Sequence, residues 1–525
     1  MVHLSKVQRD ASPPDLVIPR EYNAAHDLIQ RNLEAGRGAK LAYIDDAGRY
    51  TYDDLAARVN RFANALDGLG NHREERVLLC LLDTIDFPTC FLGAIKAGVV
   101  PVPVNTLLTA ADYQYMLTDS GATTLVVSKL LWPHFAEIIG DVPSLKHVVI
   151  SGGTVDGHLG LDAIMAAASD KKLPADTVAD EPCFWLYSSG STGKPKGTVH
   201  VHSSLINTAE LYAIPTLALS EDDVVFSAAK LFFAYGLGNG LTFPLAIGAT
   251  TVLMAERPTA EAVFRRLRKH RPAVFYGVPT LYGMMLAHPD CPRRDELRLR
   301  CCTSAGEALP DELGRQWSER FGVDILDGIG STEMLHIFMS NRAGEVRYGS
   351  TGRPVPGYRV RIVDENGLPV ATGEIGTLEV SGPSSAIAYW NNRAKSRDTF
   401  RGEWTHTGDK FTESEDGYFV YAGRGDDMLK VGGIYVSPTE VEAALMTHDD
   451  VLEAAVVGRA DDGGLIKPAA YVVLKEGRKP NEERAEALKR HVKARLAPYK
   501  YPRWVEFMPS LPRTATGKLQ RFKLR

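Results

Sequence analysis

The sequence predicts an α/β protein: a large N-terminal domain with a largely parallel sheet, then a small α+β module. Three observations carry that prediction. Short apolar runs alternate with amphipathic helical spacing between residues 39 and 327. Many of those runs end in loops rich in Gly, Ser or Thr, the arrangement in which open α/β sheets gather ligands. Beyond Thr351 the texture shifts to short alternating strands, and the last hundred or so residues mix helix and strand.

Taken in order, 39–52 alternates around Asp45-Asp46-Ala47-Gly48 and predicts a hairpin. Thr51 then caps a helix whose apolar positions are Leu55, Val59, Phe62 and Leu66. Strands are expected at 76–82, 99–104 (broken by two prolines) and 125–128, with a helix at 87–97. After residue 200 come strands at 224–228, 250–254, 274–277, 300–304 and 323–327, and a basic helix at 259–270. Strands at 360–363, 376–381 and 418–421 suggest a β-rich subdomain. Ser437-Pro438-Thr439-Glu440 has the pattern of a capping box and opens a helix at 438–446; strands at 454–457 and 469–474 and a charged helix near 481–496 follow.

The totals set limits. A chain of 525 residues exceeds one core, so roughly two to four domains are expected. Its 44% hydrophobic and 24% charged content is that of a globular protein. A net charge of −5 gives no electrostatic reason to bind nucleic acid. Cys80, Cys90, Cys183, Cys291, Cys301 and Cys302 lack metal or redox spacing and read as reduced, buried thiols of a cytoplasmic protein. The first fifteen residues have no apolar signal core. Leu231–Ala255 contains no charge and is long enough to span a bilayer, but four glycines, Asn239 and Pro244 make it a buried loop, helix and strand; no membrane association is expected.

The most informative stretch is Tyr187-Ser188-Ser189-Gly190-Ser191-Thr192-Gly193-Lys194-Pro195-Lys196-Gly197, preceded by the apolar strand Phe184-Trp185-Leu186. Glycines let backbone N–H groups approach an anion, hydroxyls donate hydrogen bonds and lysines add positive charge. This is the chemistry of a polyphosphate loop. A flexible linker seldom follows a strand and carries two lysines. A Walker A loop is excluded by spacing, because Gly190 and Gly193 are too close and Pro195 stands where a hydroxyl residue belongs.

The loop resembles the signature of the adenylate-forming superfamily, which includes acyl-CoA synthetases, and further motifs extend the resemblance over the whole chain. Asp327-Gly328-Ile329-Gly330-Ser331-Thr332-Glu333 is similar to its second nucleotide motif. By that match Thr332 binds the α-phosphate, Glu333 holds Mg²⁺, and Ile329 replaces the usual aromatic ring against adenine. Ser304 to Leu309, with Gly306 and Glu307, matches the loop along the adenine, and Asp327 would accept from its amino group. Trp404 to Asp409 resembles the ribose-binding motif, with Asp409 on the hydroxyls and Arg424 on the nucleotide. Lys518, in Thr516-Gly517-Lys518, matches the lysine that bridges substrate carboxylate and phosphate. The resemblance further implies a hinge at Asp426, a thiol-step role for Lys430, and room for pantetheine at Gly432 and Gly433. The implied domains are 1–425 and a mobile 426–525.

Acid-pocket residues are expected from Ala234, Tyr235, Gly236, Ala305, Gly330, His336 and Ile337, with His336 on a helix following Glu333. Ala229–Asn239 and Asp327–Phe338 resemble the corresponding runs of benzoate–CoA ligases. The expected function is therefore an aryl-CoA ligase, benzoate first, with 4-hydroxybenzoate and 2-aminobenzoate as competitors. Its co-substrates would be ATP and coenzyme A and its metal Mg²⁺; a homodimer stays open. The rival reading is an adenylation protein that loads a carrier protein. A non-catalytic binding protein would be expected to lack Lys518, Glu333 or Asp409. Two signals are discounted: His200-x-His202 as a metal pair, because no third ligand is near, and the basic run Arg265–His270, read as a solvated helix face.

Overall fold

The computed structural model describes residues 2–188, 194–425, 427–431, 434–461, 465–497, 499–513 and 519–525. The expected site residues Ser189, Gly190, Ser191, Thr192, Gly193, Asp426, Gly432, Gly433 and Lys518, and the side chain of Lys430, lie outside the description.

The large α/β region holds two sheets rich in parallel strands. One orders its five strands Val100–Pro103, Arg76–Cys80, Thr124–Ser128, His147–Ser151 and Leu159–Gly160, all parallel. The two prolines of the first sit on an edge strand, where a missing N–H costs the ladder little. The other sheet has nine strands. Its middle is parallel, in the order Ile325–Gly330, Cys301–Ser304, Val274–Gly277, Val224–Ser227, Thr250–Val252 and Leu41–Ile44. Antiparallel strands close both edges: Ile337–Ser340 and Arg353–Pro354 at one, Arg49–Thr51 at the other.

The expected helix over 52–68 forms as Tyr52–Gly68 under a full Thr51/Asp54 capping box. It buries Leu55, Val59, Phe62 and Leu66 completely. The facing helix Asp86–Lys96 crosses it at Gly93, where an added Cβ would come within 2.8 Å of the Phe62 ring and 3.0 Å of the Val59 carbonyl. Only glycine permits that approach.

The charge-free stretch after Leu231 folds as expected: a turn, a helix and the strand Thr250–Val252. No helix among the described residues is long and apolar enough to cross a membrane. The helical part, 234–247, is interrupted by a π turn at Gly238–Thr242. A second π turn, Ala209–Ala213, interrupts 202–217. All six cysteines are free and buried. The basic helix Ala260–His270 is not wholly solvated as expected: Arg266 is buried and bridges Asp46 (2.6 Å) and Glu256 (2.5 Å).

A three-stranded antiparallel sheet, Pro182–Ser188, Lys196–Val201 and Ala388–Tyr389, carries the ends of the phosphate loop. The β-rich sheet joins Arg359–Val363, Gly376–Ser381, Trp404–Glu413, Phe400–Arg401 and Phe419–Arg424. The closing module packs helices Pro438–Met446 and Glu482–Lys493 over the sheet Val451–Ala460, Ile466–Leu474, Trp504–Phe507, with its own apolar core. Its capping box is only half formed. Ser437 Oγ accepts from Glu440 N, but the Glu440 carboxylate turns to Lys500 at 2.7 Å, a full charge being the stronger partner.

His200 and His202 are anchors within the fold, in keeping with the discounted metal reading. The His202 Nδ1 accepts from Ala24 N at 3.1 Å, tying the first helix to the large core. Burial lowers His202 to about 3 and His200 to about 4, from 6.5. The unfolded chain takes up protons at these rings below about pH 6.5 and the folded chain does not, so stability falls as pH drops below that value. In His202→Asn, whose Oδ1 can replace the acceptor, the loss of unfolding free energy between about pH 7.5 and pH 5 should be smaller than in the parent by roughly 2 kcal/mol. Urea titrations at both pH values measure this; equal acid losses would refute it.

Candidate active site

The site gathers at the carboxyl ends of the parallel strands 274–277, 301–304 and 325–330, where Gly277, Ser304 and Asp327 stand in register. The strand ending in Ser304 delivers Ala305 buried and then Gly306 at φ +92°, a left-handed turn that swings Glu307 outward. The next strand runs farther than expected, through Gly330, so Asp327, Gly328, Ile329 and Gly330 lie on the strand itself. The Asp327 carboxylate is buried and its Oδ1 has no partner among the described residues; burial pushes its pKa well up. An unpaired buried acceptor is costly, and a ligand amino group would satisfy it.

Glu333 is held from a different sheet. Its Oε1 accepts from Tyr389 Oη at 2.6 Å and from Ser188 Oγ at 3.3 Å. The Lys196 ammonium lies 4.3 Å over the Tyr389 ring. Burial lowers the Lys196 pKa and the Glu333 charge partly restores it. Lys194 lies over Tyr115, whose hydroxyl donates to the Pro195 carbonyl at 3.1 Å. Ser188 and Lys196, one from each described end of the phosphate loop, thus converge toward the Glu333 carboxylate, while Lys194 and Pro195 lie against Tyr115. The Thr332 carbonyl accepts from His200 Nε2 at 2.7 Å, which assigns the proton of that neutral ring to Nε2.

No helix follows Glu333. The chain turns sharply, with Leu335 N bonded to Thr332 O, His336 N to Met334 O and Leu335 at φ +67°, and returns as the antiparallel strand Ile337–Ser340. Helical spacing therefore does not relate His336 to Glu333. The turn aims the two side chains into different cavities.

His336 is buried among the rings of Phe243 (4.4 Å), Tyr235 (5.5 Å) and Tyr212 (5.5 Å). Its Nε2 lies 3.1 Å from the Tyr235 carbonyl and 3.2 Å from Asn239 Oδ1. Both partners are acceptors, so Nε2 carries the proton, and burial lowers the pKa to about 3. The Tyr235 hydroxyl pairs with Thr303 Oγ1 at 2.5 Å. A Cβ on Gly238 would overlap the His336 ring, and one on Gly330 the His336 backbone. Tyr235, Gly330 and His336 thus lie together, with Ile337 next to His336 in the chain, Ala305 two residues beyond Thr303, and Ala234 and Gly236 on the helix turn that carries Tyr235. Tyr212 and Asn239 come from the two π turns, a placement often found at functional sites.

Asp409 and Arg424 face each other in register on adjacent strands, with Asp409 Oδ1 3.2 Å from Arg424 Nη1. Gly408, at φ +75°, precedes Asp409. Lys430 lies on the strand Leu429–Val431. The closing module touches the site through Arg513, whose Nη1 lies 3.5 Å from Glu307. Tyr389, Thr303, Asn239, Tyr212 and His200 are additions to the residues read from sequence. Each is brought in by tertiary pairing; Asn239 sits within a run the sequence marks, His200 enters the sequence reading only as a discounted metal ligand, and Thr303 only as part of a strand.

The AMP-binding enzyme family matches residues 30–390, and the AMP-binding enzyme C-terminal domain matches 440–518. The chain belongs to the AMP-binding enzyme family. A relative from Thauera aromatica named benzoate–CoA ligase is 64% identical over 527 aligned positions, covering 100% of both chains. A 4-hydroxybenzoate–CoA/benzoate–CoA ligase from Rhodopseudomonas palustris is 50% identical over 96% of this chain and 94% of its own. The crystal structure of a benzoate CoA ligase from Burkholderia xenovorans superposes with a TM-score of 0.90 at 56% identity, covering 96% of this chain and 100% of that one. The α/β adenylate-forming fold, with its large N-terminal and small C-terminal parts, is thus that of this AMP-binding enzyme.

Removing the Tyr389 hydroxyl takes from Glu333 Oε1 the shorter of its two hydrogen bonds while keeping the ring under Lys196. Tyr389→Phe should therefore lower acid-dependent AMP formation by about ten- to a hundredfold, the worth of a hydrogen bond to a charged group. Steady-state AMP release measures this, and an unchanged rate would show that Glu333 does not depend on that contact.

Proposed function

We propose that this chain is a benzoate–CoA ligase, with MgATP and coenzyme A as co-substrates. The observation that carries the reading is the gathering of the Tyr235, Tyr212 and Phe243 rings around a buried, neutral His336, beside the strand that leads into Ala305. An acid pocket built on those side chains would suit a flat ring better than a long acyl chain. The 64% identity to the Thauera benzoate–CoA ligase over the full length supports the same substrate.

In the first half-reaction a benzoate oxygen attacks the α-phosphorus of ATP. The bond from that phosphorus to the bridging oxygen breaks, and pyrophosphate leaves with the electron pair. Attack by an anion on an anion needs cationic and hydrogen-bonding groups placed in advance. Lys196, Thr332 and the loop 188–197 are assigned to the phosphates. Lys518 bridges carboxylate and phosphate, Asp327 the adenine amino group, and Asp409 with Arg424 the ribose side. In the second half-reaction the thiolate of coenzyme A attacks the acyl carbonyl carbon, the carbon–oxygen bond breaks and AMP leaves. A thiol of pKa about 8.5 is partly ionised near neutrality, and its proton passes to water.

Glu333 is the residue that would hold Mg²⁺. The donor set fits: one carboxylate in reach of phosphates, with hydroxyl oxygens beside it, suits a cation that keeps several waters. When bound, Mg²⁺ would neutralise charge on the phosphates. Division into residues 1–425 and 426–525, with Asp426 as hinge, Lys430 at the thiol step, and Gly432 and Gly433 beside the pantetheine arm, belongs to the same proposal. So does a cytoplasmic location, where ATP and coenzyme A are found.

The test is AMP formation with a panel of acids, with and without coenzyme A. Benzoate should turn over fastest, octanoate negligibly, and turnover should require coenzyme A and cease on chelation of divalent cations. Faster turnover of a medium or long chain would refute the pocket reading. Adenylation without transfer to free coenzyme A would favour a protein that loads a carrier.

A further inference from the structure

The wall of the acid cavity stands on a charged group that belongs to neither the cavity nor the nucleotide site. Asp83 follows the parallel strand Arg76–Cys80 of the five-stranded sheet, and its carboxylate is buried. Both of its oxygens face the backbone N–H of Leu231, at 3.3 and 3.4 Å, and Oδ2 lies 3.9 Å from Lys230 Nζ. Lys230 also donates to the carbonyls of Met254 and, at 2.7 Å, Glu256. Around it lie the charges of Glu256, Arg266 and Asp46. One acidic side chain from the first sheet therefore fixes a turn that belongs to the second.

That turn is the foot of the cavity helix. Phe233 N bonds to Lys230 O at 3.0 Å, and Leu237 N to Phe233 O at 2.7 Å. Gly236 presses on the Lys230 carbonyl so closely that a Cβ there would overlap it. Leu231 packs against Gly240 one turn on, where a Cβ would meet its Cδ2 at 2.9 Å. The same helix presents Tyr235, whose carbonyl accepts from His336. We propose that Asp83 is a positioning residue for the acid cavity, holding the Ala229–Phe233 turn and, through it, the Tyr235 wall against His336. The inference rests on the ligase reading for its substrate.

Burial pushes the Asp83 carboxyl up to about 6, with Lys230 and the Leu231 N–H pulling it down. The ion pair is therefore complete above that pH and is lost as pH falls through it. Benzoate stays ionised and His336 stays neutral over the same range.

The experiment measures KM for benzoate, KM for ATP and kcat between about pH 5.5 and pH 8 in the parent, Asp83→Asn and Lys230→Met. In the parent, KM for benzoate should rise below about pH 6 while KM for ATP does not. Asp83→Asn should raise KM for benzoate at pH 7.5 by about tenfold, leave KM for ATP within about twofold, and abolish the acid rise. In Lys230→Met the carboxyl loses its neighbouring cation, so the acid rise should move to higher pH; this keeps the inference testable if Asp83→Asn fails to fold. Equal changes in both KM values, an acid rise that persists in Asp83→Asn, or one that stays in place in Lys230→Met would overturn it. A parent that makes no aroyl-CoA from any acid would overturn the ligase reading and this inference together, and is read before either variant.

Discussion

The six-residue turn Ser331–His336 is the constraint on which the rest of the site depends. Its backbone is pinned from several directions. His200 bonds the Thr332 carbonyl, Ala386 N the Glu333 carbonyl at 2.7 Å, and Ser384 Oγ the Met334 carbonyl at 2.7 Å. These partners come from the three-stranded sheet and from the segment leading into its last strand. With its backbone fixed, the turn sends the Glu333 carboxylate toward the phosphate loop and the His336 ring toward the acid cavity. Under the proposed reading, two substrates that must meet atom to atom would be registered by one short piece of chain, and preorganised geometry of this kind is what a phosphoryl-transfer site chiefly supplies.

Electrostatics around the turn divide along the same line. On the phosphate side, charged and hydroxyl groups cluster: Lys196, Glu333, Ser188 and Tyr389. On the acid side, burial removes charge, leaving a neutral His336 and protonated tyrosines. A neutral imidazole that donates through Nε2 behaves as a packing element with one fixed hydrogen bond. Under the proposed reading, an acid seated beside it would be selected by shape.

Much of the fold was legible because local signals agreed. Thr51 fixed a helix start, the alternation of apolar runs fixed a parallel sheet, and the ordered motifs brought Ser304 and Asp327 onto neighbouring parallel strands. The turn after Glu333 was not legible. Glu333, Met334 and Leu335 all favour helix, and the left-handed Leu335 that reverses the chain is set by the strand pairing of Ile337–Ser340. Tyr389 and Thr303 were missed for a related reason. Each meets its partner across a gap of 56 or 68 residues; nothing near Tyr389 in the chain marks it, and the motif that begins at Ser304 stops one residue short of Thr303. Glu440 looked like a cap and pairs instead with Lys500, sixty positions away.

The π turn at Gly238–Thr242 has a consequence for how this helix can change. A π turn holds one residue more than regular α geometry needs, so deleting a residue there would relieve the local backbone. Because the π turn already absorbs that extra residue, the segments on either side of it would keep nearly their present phase, and the change would fall on the residues of the turn itself. Asn239 lies within the π turn and Tyr235 just before it, while Phe243 lies just after, and all three meet on one ring. The contact most exposed to such a change is therefore the one made from within the turn, Asn239 to the His336 ring, while Tyr235 and Phe243 approach that ring from the two flanks.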